Sequence, residues 1–334
     1  MTGSFHEANS SLGASAKSAG ADKEAESCVT AVDATGNDRT QYQATAWLHP
    51  CTNVWSLVFL PHQQIRCVSA TTTRKRKMHH VQRGTGRKLL LIHGLGGSWQ
   101  SWITILDQLS THRTVIAIDL PGHGATPAEA DSGTFVGLVG SVERYIDDKG
   151  LTGIDLVGSS MGARIVLELA RRGGVGNVVA LDPGGFWRGW ERTFFRVTIG
   201  LSGRLLRAIR PLLPFLSQYA ATRTALLAQL SVQPWALDPH VVATELTAFS
   251  TTPTFAALVD DLAGGPEQAG PAAQSTGRVV IGWGRQDRLC LPRQAARAKA
   301  AFSSADLHWF ESSGHFPAWD MPTETVAVIL AATR

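Results

Sequence analysis

The chain has few of the features that mark secreted, metal-binding or membrane-spanning proteins. Its four cysteines, Cys28, Cys51, Cys67 and Cys290, match no paired metal-ligand spacing. We therefore expect reduced thiols in a cytoplasmic protein, with neither a disulfide framework nor a metal site. No apolar segment follows the start as a secretory leader requires, and the apolar stretch 47–60 is too short and too interrupted to span a membrane.

A strong excess of charge is also missing. The formal net charge at pH 7 is +4, and the basic residues are scattered rather than gathered in a stripe. This distribution argues against nucleic acid as an obligatory partner. The hydrophobic content of 44% in 334 residues is ample for a full core, so we expect one large α/β domain with an insertion.

The N-terminal part of the chain differs in composition from the rest. Residues 1–46 are rich in Ser, Ala and Gly, which predicts a disordered extension. Residues 47–77 include Val54–Leu60 and Ile65–Ala70, which could be first strands although neither alternates cleanly. The basic run Arg74–Lys77 favours a solvated turn.

From Met78 onward, short apolar runs alternate with amphipathic stretches. The predicted strands are Met78–Gln82, Leu89–Ile92, Val115–Ile118, Ile154–Val157, Val178–Leu181, Val279–Ile281 and Leu307–Phe310. The predicted helices are Ser98–Leu109, Phe135–Asp148, Ala163–Ala170, Arg293–Phe302 and Thr323–Ala332. This alternation predicts the α/β class with a doubly wound, mostly parallel sheet, built from residues 78–183 and 266–334.

The alternation stops between residues 184 and 265. This stretch contains no buried strand run, and prolines punctuate helical segments at Leu205–Ile209, Thr222–Leu230 and Phe255–Leu262. We expect it to form an inserted helical cap. Its aromatic residues suggest an apolar substrate pocket: Phe186, Trp187, Trp190, Phe194, Phe195 and Trp235.

The most informative motif is Gly158–Gly162, which reads Gly-Ser-Ser-Met-Gly. It lies between a predicted strand and a predicted helix, the setting of a nucleophile elbow. The sharp turn holds its central residue, Ser160, in strained geometry, and only small side chains fit two residues before and after it. We predict Ser160 as a nucleophile at the amino end of a helix, where free N–H groups favour negative charge.

A serine nucleophile needs a base, and the base needs an orienting acid. In an open α/β sheet both should follow the carboxyl ends of strands, in the chain order Ser, acid, His. Asp287 follows the Val279–Ile281 strand and His315 follows the last strand, so we assign them as acid and base. Asp182, after Val178–Leu181, is an alternative acid, for which a role in the adjoining turn is adequate.

The developing oxyanion requires two hydrogen-bond donors. The residue after the nucleophile supplies one backbone N–H, here that of Met161, and we assign the other to Leu95 in the loop His93–Gly97. The Gly94-x-Gly96 pair in that loop also hints at a dinucleotide site, but Trp99 replaces the third glycine of that motif. Asp119 is expected to structure its own Gly/Pro loop.

These residues together resemble the α/β-hydrolase superfamily from about residue 78 to the C-terminus. The matching stretches, besides the elbow, are Leu91–Gly97, Asp119–Gly124, Trp283–Asp287 and Gly314–Pro322. The last two look most like the capped esterase and carbon–carbon hydrolase branch. The serine at the elbow departs from dehalogenases and epoxide hydrolases, and Ser159 departs from the asparagine usual in meta-cleavage product hydrolases.

The resemblance implies a carboxylesterase-like serine hydrolase, and the aromatic residues of the cap suggest that its substrate is small and largely apolar. It implies neither a metal nor an organic cofactor. Carbon–carbon bond hydrolysis and acyl transfer are alternatives, since they use the same groups. A non-catalytic ligand-binding member of the fold is a further alternative, against which the complete set of Ser160, Asp287 and His315 argues.

Overall fold

The computed structural model describes residues 25–32, 39–46, 78–271 and 277–334, the first two ranges as backbone alone. Strands β1 (Ala25–Val32) and β2 (Arg39–Ala46) pair antiparallel, with Ala25 opposite Ala46. Both lie within residues 1–46, for which the composition predicts a disordered extension. The strands considered within residues 47–77 lie outside the described residues.

Residues 78–334 are organised around a seven-stranded sheet. Its strands are β3 (His80–Arg83), β4 (Lys88–Ile92), β5 (Thr114–Ile118), β6 (Asp155–Ser159), β7 (Val178–Leu181), β8 (Val279–Gly284) and β9 (Asp306–Phe310). The spatial order is β3-β5-β4-β6-β7-β8-β9. Only β3 within this sheet runs antiparallel to its neighbour, β5. The predicted mostly parallel, doubly wound sheet is therefore confirmed.

The apolar runs are explained by burial on both faces of the sheet. In β4, Leu90 and Ile92 belong to one hydrophobic cluster, whereas Leu89 and Leu91 belong to the other. All four side chains are fully buried. Because successive side chains point to opposite faces, a strand covered on both sides has no polar alternation to show.

Helices cover both faces of the sheet and fill the insertion. They are α1 (Ile103–Ser110), α2 (Phe135–Asp148), α3 (Met161–Arg172), α4 (Trp190–Ala208), α5 (Leu213–Leu216), α6 (Ala220–Leu227), α7 (Pro239–Thr251), α8 (Phe255–Gly264), α9 (Arg293–Ala301), α10 (Pro317–Asp320) and α11 (Pro322–Ala332). The apolar residues of α1 and α11 join one cluster, and those of α2, α3 and α9 join the other. No helix within the described ranges has both the length and the apolar character needed to cross a bilayer.

We call residues 184–265 the inserted helical segment. It lies between β7 and β8 in the chain and carries α4 to α8. The structure differs from the sequence prediction here: α4 begins at Trp190 rather than near Leu205, and α5 and α7 were not predicted. Helix α7 begins at a proline after Asp238, whose side chain accepts hydrogen bonds from the N–H groups of His240 and Val241, a strong N-cap.

Candidate active site

Ser160 occupies a strained turn between β6 and α3. Its backbone has φ 56° and ψ −115°, in the left-handed half of conformational space that residues with a side chain rarely enter. The Ser160 N–H donates to the carbonyl of Leu181 at 2.9 Å, and its carbonyl accepts from Arg164 N–H at 3.1 Å. These bonds tie the strained residue to the neighbouring strand and to the following helix, so the sheet holds the strain.

The two glycines of the motif are required by contact. A Cβ atom on Gly158 would collide with the backbone of Gly162, and one on Gly162 would collide with the carbonyl oxygen of Ile92 in β4. The turn therefore closes only because both positions lack a side chain. This agrees with the physical reason for which the motif predicted an elbow.

A chain of hydrogen bonds connects Ser160 to a histidine and an aspartate. His315 Nε2 lies 2.9 Å from Ser160 Oγ, and His315 Nδ1 lies 2.8 Å from Asp287 Oδ2. His315 is fully buried and Asp287 is nearly so. The second carboxylate oxygen, Asp287 Oδ1, accepts hydrogen bonds from the N–H groups of Leu289 at 2.7 Å and Cys290 at 3.0 Å. Both carboxylate oxygens are thereby held in place.

Asp182 lies nearby but does not bond to His315. Its Oδ1 accepts from the N–H of Gly284 at 2.8 Å, and its backbone has φ 47°. Burial, followed by the neighbouring Asp287 carboxylate, raises the pKa of Asp182 well above its ordinary value. The structure thus brings Asp287 against the histidine ring and leaves Asp182 as a buried carboxyl whose neutral form is favoured.

The loop after β4 approaches Ser160 closely. A Cβ on Gly94 would lie 3.1 Å from the Cβ of Ser160, so glycine permits this approach. Among the described residues, the N–H of Leu95 donates no backbone hydrogen bond. The N–H of Met161, at the first position of α3, belongs to the helix end that has no intrahelical partner.

Two residues support this loop from beneath, and of these the role of His93 was not predicted. His93 Nδ1 bonds to the carbonyl of Gly94 at 2.7 Å, and its Nε2 accepts from the Leu120 N–H at 3.0 Å. Burial lowers the pKa of His93 to about 4, so the ring stays neutral with one proton, as this pattern requires. Asp119 accepts from the N–H groups of Trp99 at 2.7 Å and Ala125 at 2.9 Å, which confirms its predicted structuring role.

One cluster in the described residues has atoms close enough to hold a metal ion: Asp287, Cys290 and His315. Burial, followed by the charges of Asp287 and Asp182, raises the pKa of the Cys290 thiol well above its ordinary value. Metals bind the thiolate, which this environment disfavours. The donor set therefore suits a hydrogen-bonded acid–histidine pair better than a metal.

The topology explains why these groups meet. The chain passes from β4 to β5 on one side and then crosses to β6 on the other side of β4. The carboxyl ends of β4 and β6 therefore flank the point where the strand order reverses, which is the usual ligand position in open α/β sheets. Leu95 follows β4 and Ser160 follows β6 at this point.

A cavity opens from Ser160 between the inserted helical segment and the carboxyl ends of the strands, which we call the sheet edge. Leu95, Ser160 and His315 line one side of it. Of the six aromatic residues proposed for the pocket, Phe195 alone lines this cavity. Phe186 and Trp187 are buried in the core, and Trp190 and Trp235 are more than half exposed. Position along the chain could not separate these environments. Aromatic lining also comes from Phe249, Phe316 and Trp319.

Comparison with known families shows which family the chain belongs to. Residues 89–328 match the alpha/beta hydrolase family. The chain belongs to this family. Its members include hydrolases, so the predicted enzyme class is confirmed at the level of a hydrolase-type family.

Individual relatives carry different activities in their names. A dihydrolipoyllysine-residue acetyltransferase component of an acetoin cleaving system from Cupriavidus necator is 29% identical over 248 residues, which is 72% of this chain and 62% of that relative. The chain thus spans less than two thirds of that protein.

The thermophilic esterase from Thermogutta terrifontis has a TM-score of 0.60 at 19% identity, with 76% of this chain and 92% of that one covered. The enol-lactonase from Burkholderia xenovorans has a TM-score of 0.61 at 18% identity, with 76% and 95% covered. These two likenesses show the fold.

Proposed function

We propose that the protein is a serine hydrolase that cleaves an ester-like bond through an acyl-enzyme on Ser160. The observation that carries this proposal is the continuous hydrogen-bond chain from Ser160 through His315 to Asp287. A serine hydroxyl becomes an effective nucleophile when a base takes its proton and an acid orients that base. The named esterase and lactonase neighbours suit the same chemistry.

Each group of the chain has a defined step. His315 Nε2 accepts the proton of Ser160 Oγ as that oxygen attacks the substrate carbonyl, and it then protonates the leaving alcohol. Asp287 accepts the hydrogen bond from Nδ1–H, which fixes the tautomer and stabilises the imidazolium. A water molecule deprotonated by His315 then attacks the acyl-enzyme, and the acid product leaves as Ser160 regains its proton.

The N–H groups of Leu95 and Met161 are proposed to hold the oxyanion. Support comes from the close approach of Gly94 to Ser160 and from the place of Met161 at the start of α3. A donor of this kind is worth about 3–4 kcal/mol of barrier. The neutral His93 ring beneath the loop would keep the Leu95 N–H aimed at the reacting carbonyl, since it fixes the carbonyl of Gly94.

The inserted helical segment is proposed to act as a cap that shapes an apolar substrate pocket. Its contribution to the cavity wall is mainly aliphatic and aromatic: Phe195, Ile199, Leu206, Leu226, Leu246 and Phe249. Such a wall favours a substrate with an apolar acyl or alcohol part. Because these side chains surround Ser160, they would also exclude bulk water from the reaction.

Acyl transfer is the second candidate. The sequence relative from Cupriavidus necator is named an acetyltransferase component, and an acyl-enzyme on Ser160 only requires a thiol or alcohol in place of water. Transfer of the acyl group to an added thiol in preference to water would favour this candidate over hydrolysis.

The first test is intact-mass analysis and peptide mapping after treatment with a fluorophosphonate. We expect one adduct, on Ser160, and its loss in His315→Ala. Ser160→Ala should lower ester turnover by about 10⁴- to 10⁶-fold with the fold intact by circular dichroism.

Labelling elsewhere, or unchanged turnover in Ser160→Ala, would overturn the proposal. No adduct on folded protein would favour a non-catalytic binding member, and far faster turnover of a dienoate ring-cleavage product would favour carbon–carbon hydrolysis.

A further inference from the structure

One ionisable side chain in the cavity wall has no part in the proposed mechanism. Glu245, on α7 of the inserted helical segment, lines the same cavity as Ser160 and His315. One turn later on this helix, Phe249 lies against Gly96 in the loop after β4. Glu245 is 9% exposed, and among the described residues His315 is the other titratable side chain in this wall.

The hydrogen bonding of Glu245 is only half complete. Ser101 Oγ donates to Glu245 Oε2 at 3.0 Å, and Ser101 Oγ in turn accepts from the Ser98 N–H at 3.3 Å. The other oxygen, Oε1, is buried and accepts no hydrogen bond from any described residue. A buried carboxylate oxygen without a partner is costly. Glu245 lines the cavity, so a rotation of its carboxylate would bring Oε1 within reach of a donor that enters there, and that donor would bind favourably.

A second buried glutamate shows what a structural role looks like in this chain. Glu191 is 3% exposed, and its carboxylate pairs with the guanidinium groups of Arg293 and Arg297. No such ion pair reaches Glu245 among the residues that the structure describes. Charge pairing therefore explains why Glu191 is buried, whereas the described residues give Glu245 one hydrogen bond, from Ser101, and no charged partner.

We propose that Glu245 is a specificity-determining residue whose Oε1 binds a hydroxyl group carried by the substrate. The inference rests on the proposed function of Ser160, since it names the substrate class of the same cavity: an otherwise apolar ester that carries one hydroxyl. The hydroxyl would complete the bonding of Oε1, while the apolar part of the substrate would contact Leu246 and its neighbours.

The protonation behaviour of Glu245 favours a hydroxyl over a charged group. Burial raises the pKa of Glu245 to about 7, so its acid and its carboxylate are both populated near neutral pH. A hydroxyl can donate to the carboxylate and accept from the acid. An ammonium group could bind only the carboxylate, and it would lose its hydration among aliphatic side chains.

The test measures binding in the Ser160→Ala background, where esters stay intact. Butyl butyrate is compared with 4-hydroxybutyl butyrate and with butyl 3-hydroxybutyrate by isothermal titration calorimetry. These two pairs place the hydroxyl on the alcohol side and on the acyl side. We expect at least one hydroxylated ester to bind about tenfold more tightly than butyl butyrate, as one hydrogen bond to a carboxylate predicts.

Variants at Glu245 and beside it locate the effect. In Ser160→Ala/Glu245→Leu the hydroxyl preference should disappear, while Ser160→Ala/Glu245→Gln should keep part of it because the amide oxygen still accepts. The matched control Ser160→Ala/Leu246→Met changes the same wall without touching the carboxylate, and it should keep the preference. Absence of any hydroxyl preference, or its persistence in the Glu245→Leu variant, would overturn the inference; occupation of Oε1 by water alone would give this result.

The two proposals fail in distinguishable ways. Binding in the Ser160→Ala background does not depend on turnover, so a hydroxyl preference there supports the role of Glu245 even if Ser160 proves not to be a nucleophile. Conversely, fluorophosphonate labelling of Ser160 without any hydroxyl preference would retain the serine hydrolase and remove Glu245 from substrate selection.

Discussion

The sheet edge and the inserted helical segment form opposite walls of one cavity, and their residues are constrained in different ways. At the sheet edge, Ser160 lies in a turn that closes only with glycine at 158 and 162. In the inserted helical segment, Glu245 lies in the middle of an ordinary helix, one turn before Phe249. The first wall is fixed by backbone geometry, whereas the second depends on how separate helices pack.

This difference explains what the sequence could and could not predict. The strands, the elbow and the approach of Asp287 and His315 follow from local signals, because each side chain comes directly after a short apolar run. The α/β fold and the mostly parallel sheet were predicted for the same reason. For the orienting acid the sequence leaves Asp182 as an alternative, and only the three-dimensional packing brings Asp287 rather than Asp182 to the histidine ring.

The inserted helical segment gave weaker signals. The long α4 was predicted only at its C-terminal end, because glycine and arginine residues interrupt its apolar pattern. Glu245 was missed entirely, since a glutamate in a helix is usually a solvated residue. Its burial, and the lack of a described partner for Oε1, are properties of tertiary packing that no spacing along the chain reports.

The largest expected effect distinguishes the two acids at the sheet edge. Asp287→Asn should lower kcat/KM for an ester by about 10⁴-fold, because the amide favours the wrong histidine tautomer. Asp182→Asn should lower it by less than about tenfold, because the amide oxygen can still accept from the Gly284 N–H. Steady-state kinetics and the rate of fluorophosphonate labelling measure both. Equal losses in the two variants would show that strand position alone does not identify the acid.

The next effect tests whether the helical wall carries a buried ionisable group. The pKa of Glu245 is raised from 4.5 to about 7 in the folded protein. The folded state then holds this proton to higher pH than the unfolded chain, so the contribution of Glu245 to the free energy of unfolding falls as pH rises from about 4.5 to about 7. The fall amounts to about 3 kcal/mol.

Urea unfolding at several pH values between 5 and 8 measures this contribution. The free energy of unfolding of Glu245→Gln, taken relative to that of wild type, should rise with pH and then level off above about pH 7. Other groups that titrate in this range, His93 among them, contribute equally to both proteins and cancel in the difference. If the difference in free energy of unfolding between Glu245→Gln and wild type does not change with pH, the result would contradict the buried position of this carboxyl.

The smallest effect compares a glycine of the elbow with a glycine of α4 in the inserted helical segment. Gly162→Ala should destabilise the protein by about 1–3 kcal/mol, because the new Cβ would collide with the Ile92 carbonyl in β4. A Cβ added to Gly200, inside α4, would meet nothing within 4 Å, so Gly200→Ala should stabilise the protein by about 0.5–1 kcal/mol through helix propensity. Thermal and urea unfolding measure both changes. Opposite signs would show that backbone contact constrains the sheet edge while the outer face of the helical segment tolerates change; losses in both would mean that α4 is packed as tightly as the elbow.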